Sequence, residues 1–448
     1  MENKKYSINR REFLKRLGLG TALTTTALAG CKSSGSTTEG EVPTDKMTYR
    51  TNHNTGDKVS ILGYGCMRWP RKKTGQYENE LDQDAINELV DYAIAHGVNF
   101  FDTAPVYCQG RSEAATGIAL KRHPRDKYFI ATKLSNFSNS SRENSIAMYQ
   151  RSLELLQVDY IDYYLLHSLG GKDDFHRRYL DNGILDYLVE ERKAGRIRNL
   201  GFSYHGNWDN IQYILSYHEK INWDFCMIQM NYSDWRFSDI GKIYDQLAEM
   251  KIPTNIMEPL LGGRLSNVPK HIADRLKEQE PEKSVASWAF RFVGSYPNVL
   301  SVQSGMVRHE HLVDNIRTYS PLQPLTEEEK EFLFETAEIM RQTPTIPCND
   351  CKYCMPCPYG LDIPGILLHY NKCANEGNYL RSSQDENYKK ARRAFLVGYD
   401  RAVEKERQAS HCVDCKQCNP LCPQQINIPK QMRMIDEYTE RLKQGLEF

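Results

Sequence analysis

Asn99-Phe100-Phe101-Asp102-Thr103-Ala104, Tyr128-Phe129-Ile130-Ala131-Thr132-Lys133 and Tyr160-Ile161-Asp162-Tyr163-Tyr164-Leu165-Leu166-His167 are three short apolar runs, each with an ionisable residue toward its carboxyl end. Five more runs of the same kind follow or precede them: Ser60-Cys66, Arg198-Ser203, Phe225-Met230, Thr254-Pro259 and Val299-Gln303. Near-continuous apolarity over a few residues marks a strand covered on both faces, as in a parallel sheet. The stretches between them have helical period, as in Asp84-His96 (apolar Ile86, Leu89, Val90, Tyr92, Ala93, Ile94) and Ser145-Leu156 (Ile146, Tyr149, Leu153, Leu156). Eight β-like runs alternating with helices predict an α/β fold, a (β/α)8 barrel. After Pro321 the strand signal stops and helices read at Glu327-Met340 and Gln431-Leu442. The carboxy-terminal part is therefore expected to be a small, mostly helical module.

The 448 residues are enough for a large barrel and a smaller unit. Hydrophobic residues at 40% and charged residues at 26% describe a globular chain rather than a disordered or collagenous one. The 58 Lys+Arg balance the 58 Asp+Glu, leaving no global basic field for nucleic acid. Cysteines are unevenly spread, with Cys31, Cys66, Cys108 and Cys226 in the first 347 residues and nine in the last 101. The tail has chemistry of its own.

A barrel of this type carries its active site at the carboxyl ends of its strands. Asp102, Tyr107, Lys133 and His167 sit at such ends, on the second, third and fourth runs. As an ordered set they resemble the catalytic tetrad of the aldo-keto reductases. The resemblance covers roughly residues 47–320 and extends to Gly201-Phe202-Ser203, Gln229-Met230-Asn231-Tyr232 and Glu258-Pro259-Leu260-Leu261-Gly262-Gly263-Arg264-Leu265. It implies a TIM barrel in which Tyr107 is the general acid, made more acidic by Lys133, which Asp102 holds, while His167 orients and polarises a carbonyl. It also implies a nicotinamide cofactor, with Ser203 and Gln229 at the carboxamide, Tyr204 where an Asn is usual, and Met257 beneath the ring. Gly305, Arg308 and Asn315 fit the adenosine-phosphate pattern. His311 stands where an Arg often grips a 2′-phosphate, so NAD and NADP both remain open.

The tail holds Cys348-x2-Cys351-x2-Cys354-x2-Cys357-Pro358 and Cys412-x2-Cys415-x2-Cys418-x3-Cys422-Pro423. Each is followed by a similar motif, Gly360-Leu361-Asp362-Ile363-Pro364 and Gln425-Ile426-Asn427-Ile428-Pro429, so the segment is an internal duplication. Triple C-x2-C spacing closed by Cys-Pro resembles ferredoxins and implies two [4Fe-4S] clusters; zinc and a disulfide framework are the alternatives. In two-cluster ferredoxins the fourth Cys crosses over, which would group Cys422 with Cys348, Cys351 and Cys354, and Cys357 with Cys412, Cys415 and Cys418. The shorter spacing of the first run leaves local ligation open as well. Cys373 and Cys108 read as packing residues.

The amino terminus, with Asn9-Arg10-Arg11-Glu12-Phe13-Leu14-Lys15, an apolar run from Leu17 to Ala29 and then Gly30-Cys31, resembles a twin-arginine export signal ending in a lipobox. It implies export in a bacterium, a lipid anchor at Cys31 in the cell envelope, and a tether over residues 32–46.

The whole chain is similar to aldo-keto reductases that carry a carboxy-terminal ferredoxin-like domain: signal 1–31, tether 32–46, barrel 47–320 and tail 321–448. The expected function is carbonyl/alcohol interconversion on a small carbonyl, alcohol or sugar-like molecule, with the clusters exchanging electrons with an envelope redox partner. Nicotinamide passes two electrons together and a cluster one, so coupling the two calls for a flavin or a partner that splits the pair. The alternatives are a nicotinamide-dependent reductase with structural clusters, and a non-catalytic electron-transfer or scaffold protein with a vestigial barrel.

Overall fold

Strands β3 (Leu62–Gly65), β4 (Phe100–Asp102), β5 (Phe129–Leu134), β6 (Ile161–Leu169), β7 (Ile197–Tyr204), β8 (Phe225–Gln229), β9 (Thr254–Met257) and β10 (Val299–Ser304) close into a parallel barrel, β10 pairing with both β9 and β3. The coordinates are a computed structural model that describes residues 42–72 and 80–446. All eight strands fall on the runs read from the sequence, and the helices between them wrap the outside. A hairpin of β1 (Tyr49–Thr51) and β2 (Lys58–Ser60), which the apolar pattern did not announce, lies ahead of the first barrel strand. It seals the amino-terminal end: Val59 joins the barrel interior, and the buried Asn52 amide donates to Tyr163 Oη and Asn199 Oδ1, both at 3.1 Å.

Side-chain alternation along the strands decides what faces the barrel axis. Phe100, Ala131, Tyr163, Leu165, Phe225, Met227 and Leu300 fill the interior as one apolar cluster. Two residues beyond Phe100, Ala131, Leu165 and Met227 come Asp102, Lys133, His167 and Gln229. The period of two therefore puts these polar residues in the same inward column, one layer higher, at the carboxyl end. Ser203 and Met257 point inward too, since Ser203 pairs in register with the inward Met227 and Met257 with Gln229. Tyr204 is out of phase and packs in the outer core against Phe202. It is thus not a wall of the mouth.

The barrel core reaches further along the chain than residue 320. Helix Glu327–Arg341, expected in the tail module, buries Leu333, Phe334 and Ala337 in the barrel's own core. It begins on a capping box, with Thr326 and Glu329 satisfying each other's backbone N–H groups. A second core starts at Ile346 and is built by helices Ile363–Asn375, Tyr388–Ala402 and Ile428–Gln444. The duplicated motifs after each Cys-Pro are helix starts: Asp362 accepts from the N–H of Gly365, and Asn427 from that of Lys430, each with Pro in the first turn. The cysteine loops repeat as well. Asp350 and Lys352 in the first, and Asp414 and Lys416 in the second, take φ of 56°, 64°, 56° and 61°.

From Val42 onward, barrel and tail form a single compact unit. The tail lies on the carboxyl face of the barrel. Arg68 donates to the carbonyls of Gly262, Asn349 and Asp350, Arg264 to Thr345 Oγ1 at 2.9 Å, and Asn375 to the Asn267 carbonyl at 3.2 Å. Gly262, at φ 67°, leaves no room for a side chain, since a Cβ there would stand 2.3 Å from the Asn349 carbonyl oxygen. Gly262→Ala is therefore expected to cost the left-handed strain of about 1–3 kcal/mol plus the clash with the tail loop. Gly56→Ala, at φ 76° with nothing near its Cβ, carries the strain alone. Urea unfolding of the two variants should show Gly262→Ala as the more damaging, and equal losses would mean the tail does not press on the barrel there.

Candidate active site

Lys133 is 1% exposed, and its ammonium donates to Asp102 Oδ1 at 2.6 Å and to the Thr103 carbonyl at 2.8 Å. Burial pushes the Asp102 carboxyl up, and Lys133 pulls it back. The ammonium stands 4.8 Å from the centre of the Tyr107 ring, and the Tyr107 and His167 rings meet edge to face at 5.9 Å. All four residues of the expected tetrad thus converge. Burial drives His167 well below the ordinary imidazole range, with Lys133 and Arg178 adding, so the ring is neutral. Its Nδ1 lies 2.5 Å from Ser135 Oγ, and Arg178 donates to its carbonyl at 2.8 Å.

The phenol of Tyr107 departs from expectation. Its pKa is raised, not lowered: burial acts first, followed by Tyr353, Asp102 and Glu258. A tail residue adds to the effect of burial. Tyr353, between Cys351 and Cys354, is hydrogen-bonded to Tyr107, and its hydroxyl lies 3.3 Å from His167 Nε2. The two barrel groups expected to meet a carbonyl oxygen meet a phenol oxygen of the chain itself. Beside them a cavity of about 1610 Å³ opens between barrel mouth and tail, walled by Arg68, Trp69, Tyr107, Phe137, Cys351 and Cys422. It is larger than most small-molecule sites.

The residues expected around a nicotinamide divide into two groups. Ser203 Oγ accepts from the Ser168 N–H at 2.7 Å, and Met257 packs on the barrel interior. Gln229 is engaged by the tail: Gln424 Nε2 donates to Gln229 Oε1 at 2.7 Å, and Gln229 Nε2 donates to Gln424 Oε1 at 3.3 Å and to Asp234 Oδ2 at 3.0 Å. At the adenosine end, Gly305, Arg308 and His311 are exposed beside the start of helix His309–Thr318, while Asn315 is buried and donates to Ser304 Oγ at 3.0 Å.

The cysteines gather crosswise. Cys348, Cys351, Cys354 and Cys422 line one small cavity of about 20 Å³, with Leu367, Ile426 and Ile428 as its apolar walls. Cys418 has Cys415, Cys412 and Cys357 as thiol neighbours. The first set faces the barrel; the second lies farther out, with Cys415 exposed. Among the described residues all twelve cysteines are unpaired, and no three His, Cys, Asp or Glu side chains converge on a single-ion site. Cys373 and Cys108 are buried, as packing residues should be. Cys31 and the arginine pair lie outside the described residues.

Residues 61–333 match the family model described as the aldo/keto reductase family. The chain belongs to the aldo/keto reductase family. Among curated relatives, "Probable aldo-keto reductase 1" of Glycine max is 38% identical over 157 residues, 33% of this chain and 42% of that protein. L-galactose dehydrogenase of Arabidopsis thaliana is 30% identical over 171 residues, 35% of this chain and 49% of that protein. The chain thus spans about half the length of these relatives. The solved aldo-keto reductase AKR11C1 of Bacillus halodurans, 24% identical, shares the barrel with a TM-score of 0.53 over 65% of this chain and 96% of its own.

Tyr353, Gln424, Ser135 and Asn349 were not legible as site residues. The one available signal is that the two cysteine loops differ there: Tyr353 corresponds to Gln417, and Gln424 to Tyr359. Glu258, also in the mouth, has its carboxyl pushed up to about 7 by burial with help from Asp234, against the pull of Arg68 and of hydrogen bonds to Gly262 and Asn349. An unfolded carboxyl releases its proton near 4.5. The neutral form therefore stabilises the fold fully below that pH, and this share is lost as pH rises toward 7. Buried neutral His167 acts in the opposite sense over part of that window, so the difference between variant and parent is what isolates Glu258. The melting temperature of Glu258→Gln less that of the parent should rise between about pH 5 and pH 7.5; a difference that stays constant would show that Glu258 makes no such contribution.

Proposed function

We propose that this protein interconverts a carbonyl and an alcohol on a small, sugar-like substrate, with Tyr107 as the proton donor. The observation that carries the reading is the convergence of Tyr107, which lines one large cavity, with His167 and the buried Lys133–Asp102 pair behind it. The name of the Arabidopsis thaliana relative, a galactose dehydrogenase, supports a sugar as substrate class. A substrate oxygen taking the place of the Tyr353 hydroxyl meets Tyr107 and His167 together. Ser135 donating to Nδ1 leaves a proton on Nε2, which then faces that oxygen. As a reductant delivers a hydride, or two electrons and a proton, to the carbonyl carbon, Tyr107 gives its proton to the developing alkoxide, and the tyrosinate left behind is stabilised by the ammonium at its ring. Asp102 keeps that ammonium in place.

The two crosswise cysteine sets fit two [4Fe-4S] clusters, four thiols each, around an apolar shell. When bound, such clusters supply one-electron transfer. The inner set borders the cavity, and the outer set reaches the surface, where an envelope redox partner can meet it. Export by the twin-arginine route and a lipid anchor at Cys31 complete the proposal. The nicotinamide end of the barrel does not fit its ligand while Gln424 occupies Gln229, and no step is drawn through that cofactor.

Tyr107→Phe is expected to lower turnover of glyceraldehyde, with reduced methyl viologen as donor, by at least about 100-fold; parental activity would remove Tyr107 from the chemistry. Ligation is tested separately. On anaerobic purification, Cys422→Ala and Cys348→Ala should each lose about half of the iron and leave the same electron paramagnetic resonance signal. Cys412→Ala should leave a different one. Cys422→Ala matching Cys412→Ala instead would mean local ligation.

A further inference from the structure

Gln424 stands two residues beyond Cys422 and holds the amide of Gln229 through two opposed hydrogen bonds. A side-chain carboxamide and the carboxamide of nicotinamide are the same group, one acceptor and two donor protons on a planar frame. Gln229 has no donor left for a second one, and one of the two lone pairs on its oxygen is taken. Its two amide protons go to Asp234 and Gln424, and its oxygen accepts from Gln424. The neighbouring loop is closed too, because the Asn349 carbonyl rests on Gly262 without room for a methyl group. At the other end of the cleft the exposed Gly305 and Arg308 stay open.

We propose that Gln424 is a built-in competitor for the nicotinamide carboxamide, so that a nucleotide binds this barrel by its adenosine end and gains nothing from its nicotinamide while the tail is docked. The inference rests on the reading of Gln229 as the carboxamide partner. Because Gln424 is carried on the same chain, it competes at a high effective concentration whatever the concentration of protein. The duplication supports a role particular to this position: the counterpart of Gln424 is Tyr359, which is exposed. Gln424 is thus a specificity-determining residue, and displacement of the tail loop is what admits nicotinamide.

The test is calorimetric titration of the holoprotein with NADPH, NADH and their fragments lacking nicotinamide, 2′-phospho-ADP-ribose and ADP-ribose. In the parent each dinucleotide should bind within about threefold of its fragment. Gln424→Ala should tighten the dinucleotides at least tenfold and leave the fragments unchanged, while Gln417→Ala, the counterpart of Tyr353 in the outer loop, changes neither. Gln424→Met, which keeps the bulk without the amide, serves should the alanine variant lose its iron. Three results overturn the proposal: a parent that binds NADPH or NADH more than tenfold tighter than its fragment, a Gln424 variant that shifts dinucleotide and fragment alike, or variants that bind no dinucleotide. None of these touches the role of Tyr107, which stands or falls on its own variant.

Discussion

A fully buried ammonium cannot stand alone. Desolvating one charge costs several kcal/mol, more than the roughly 1.5–3 kcal/mol gained by burying a large apolar side chain. Lys133 is tolerable in the barrel only because Asp102 and the Thr103 carbonyl receive it. That requirement fixes β4 and β5 side by side in a register that pairs Asp102 with Ala131, two residues before Lys133. It also fixes the inward column of the barrel: with Lys133 at its top, Ala131 and Phe129 must fill the axis below. The chemistry at the mouth and the packing beneath it follow from one alternation.

The tail takes its place on this frame through its differences from itself. The two cysteine loops share their turns, their helix caps and their left-handed residues. They part at the positions that meet the barrel, where the inner set carries Tyr353 and Gln424 and the outer set carries the exposed Gln417 and Tyr359. A duplicated unit has been made asymmetric on its barrel side. The result is a mouth in which the hydroxyl and amide a ligand would offer are already supplied by the chain.

Most of the barrel was legible because a parallel strand buried on both faces leaves a dense apolar run. The four candidate site residues were legible because Asp102, Lys133 and His167 lie at the ends of such runs and Tyr107 just after one. The hairpin of β1 and β2 was not, since its strands are short and half exposed. Helix Glu327–Arg341 was read with the tail, and its packing on the barrel core was not legible because its period shows an apolar face without saying what covers it. Tyr353 and Gln424 lie in loops whose spacing is explained by the cysteines, which hides any second use. The crosswise grouping of thiols depends on how the two loops fold toward each other, which spacing alone does not state.

A barrel that gathers Asp102, Tyr107, Lys133 and His167 at its mouth is roofed by two crosswise cysteine sets, the inner one carrying Tyr353 to that mouth. Crystallographic anomalous difference density at the iron edge, from anaerobically purified protein, tests this most directly. Two iron-rich peaks are expected, one among Cys348, Cys351, Cys354 and Cys422 with Tyr353 against Tyr107, and one among Cys357, Cys412, Cys415 and Cys418. Absent iron, clusters each held by a single run, or a tail lying away from the barrel mouth would contradict it.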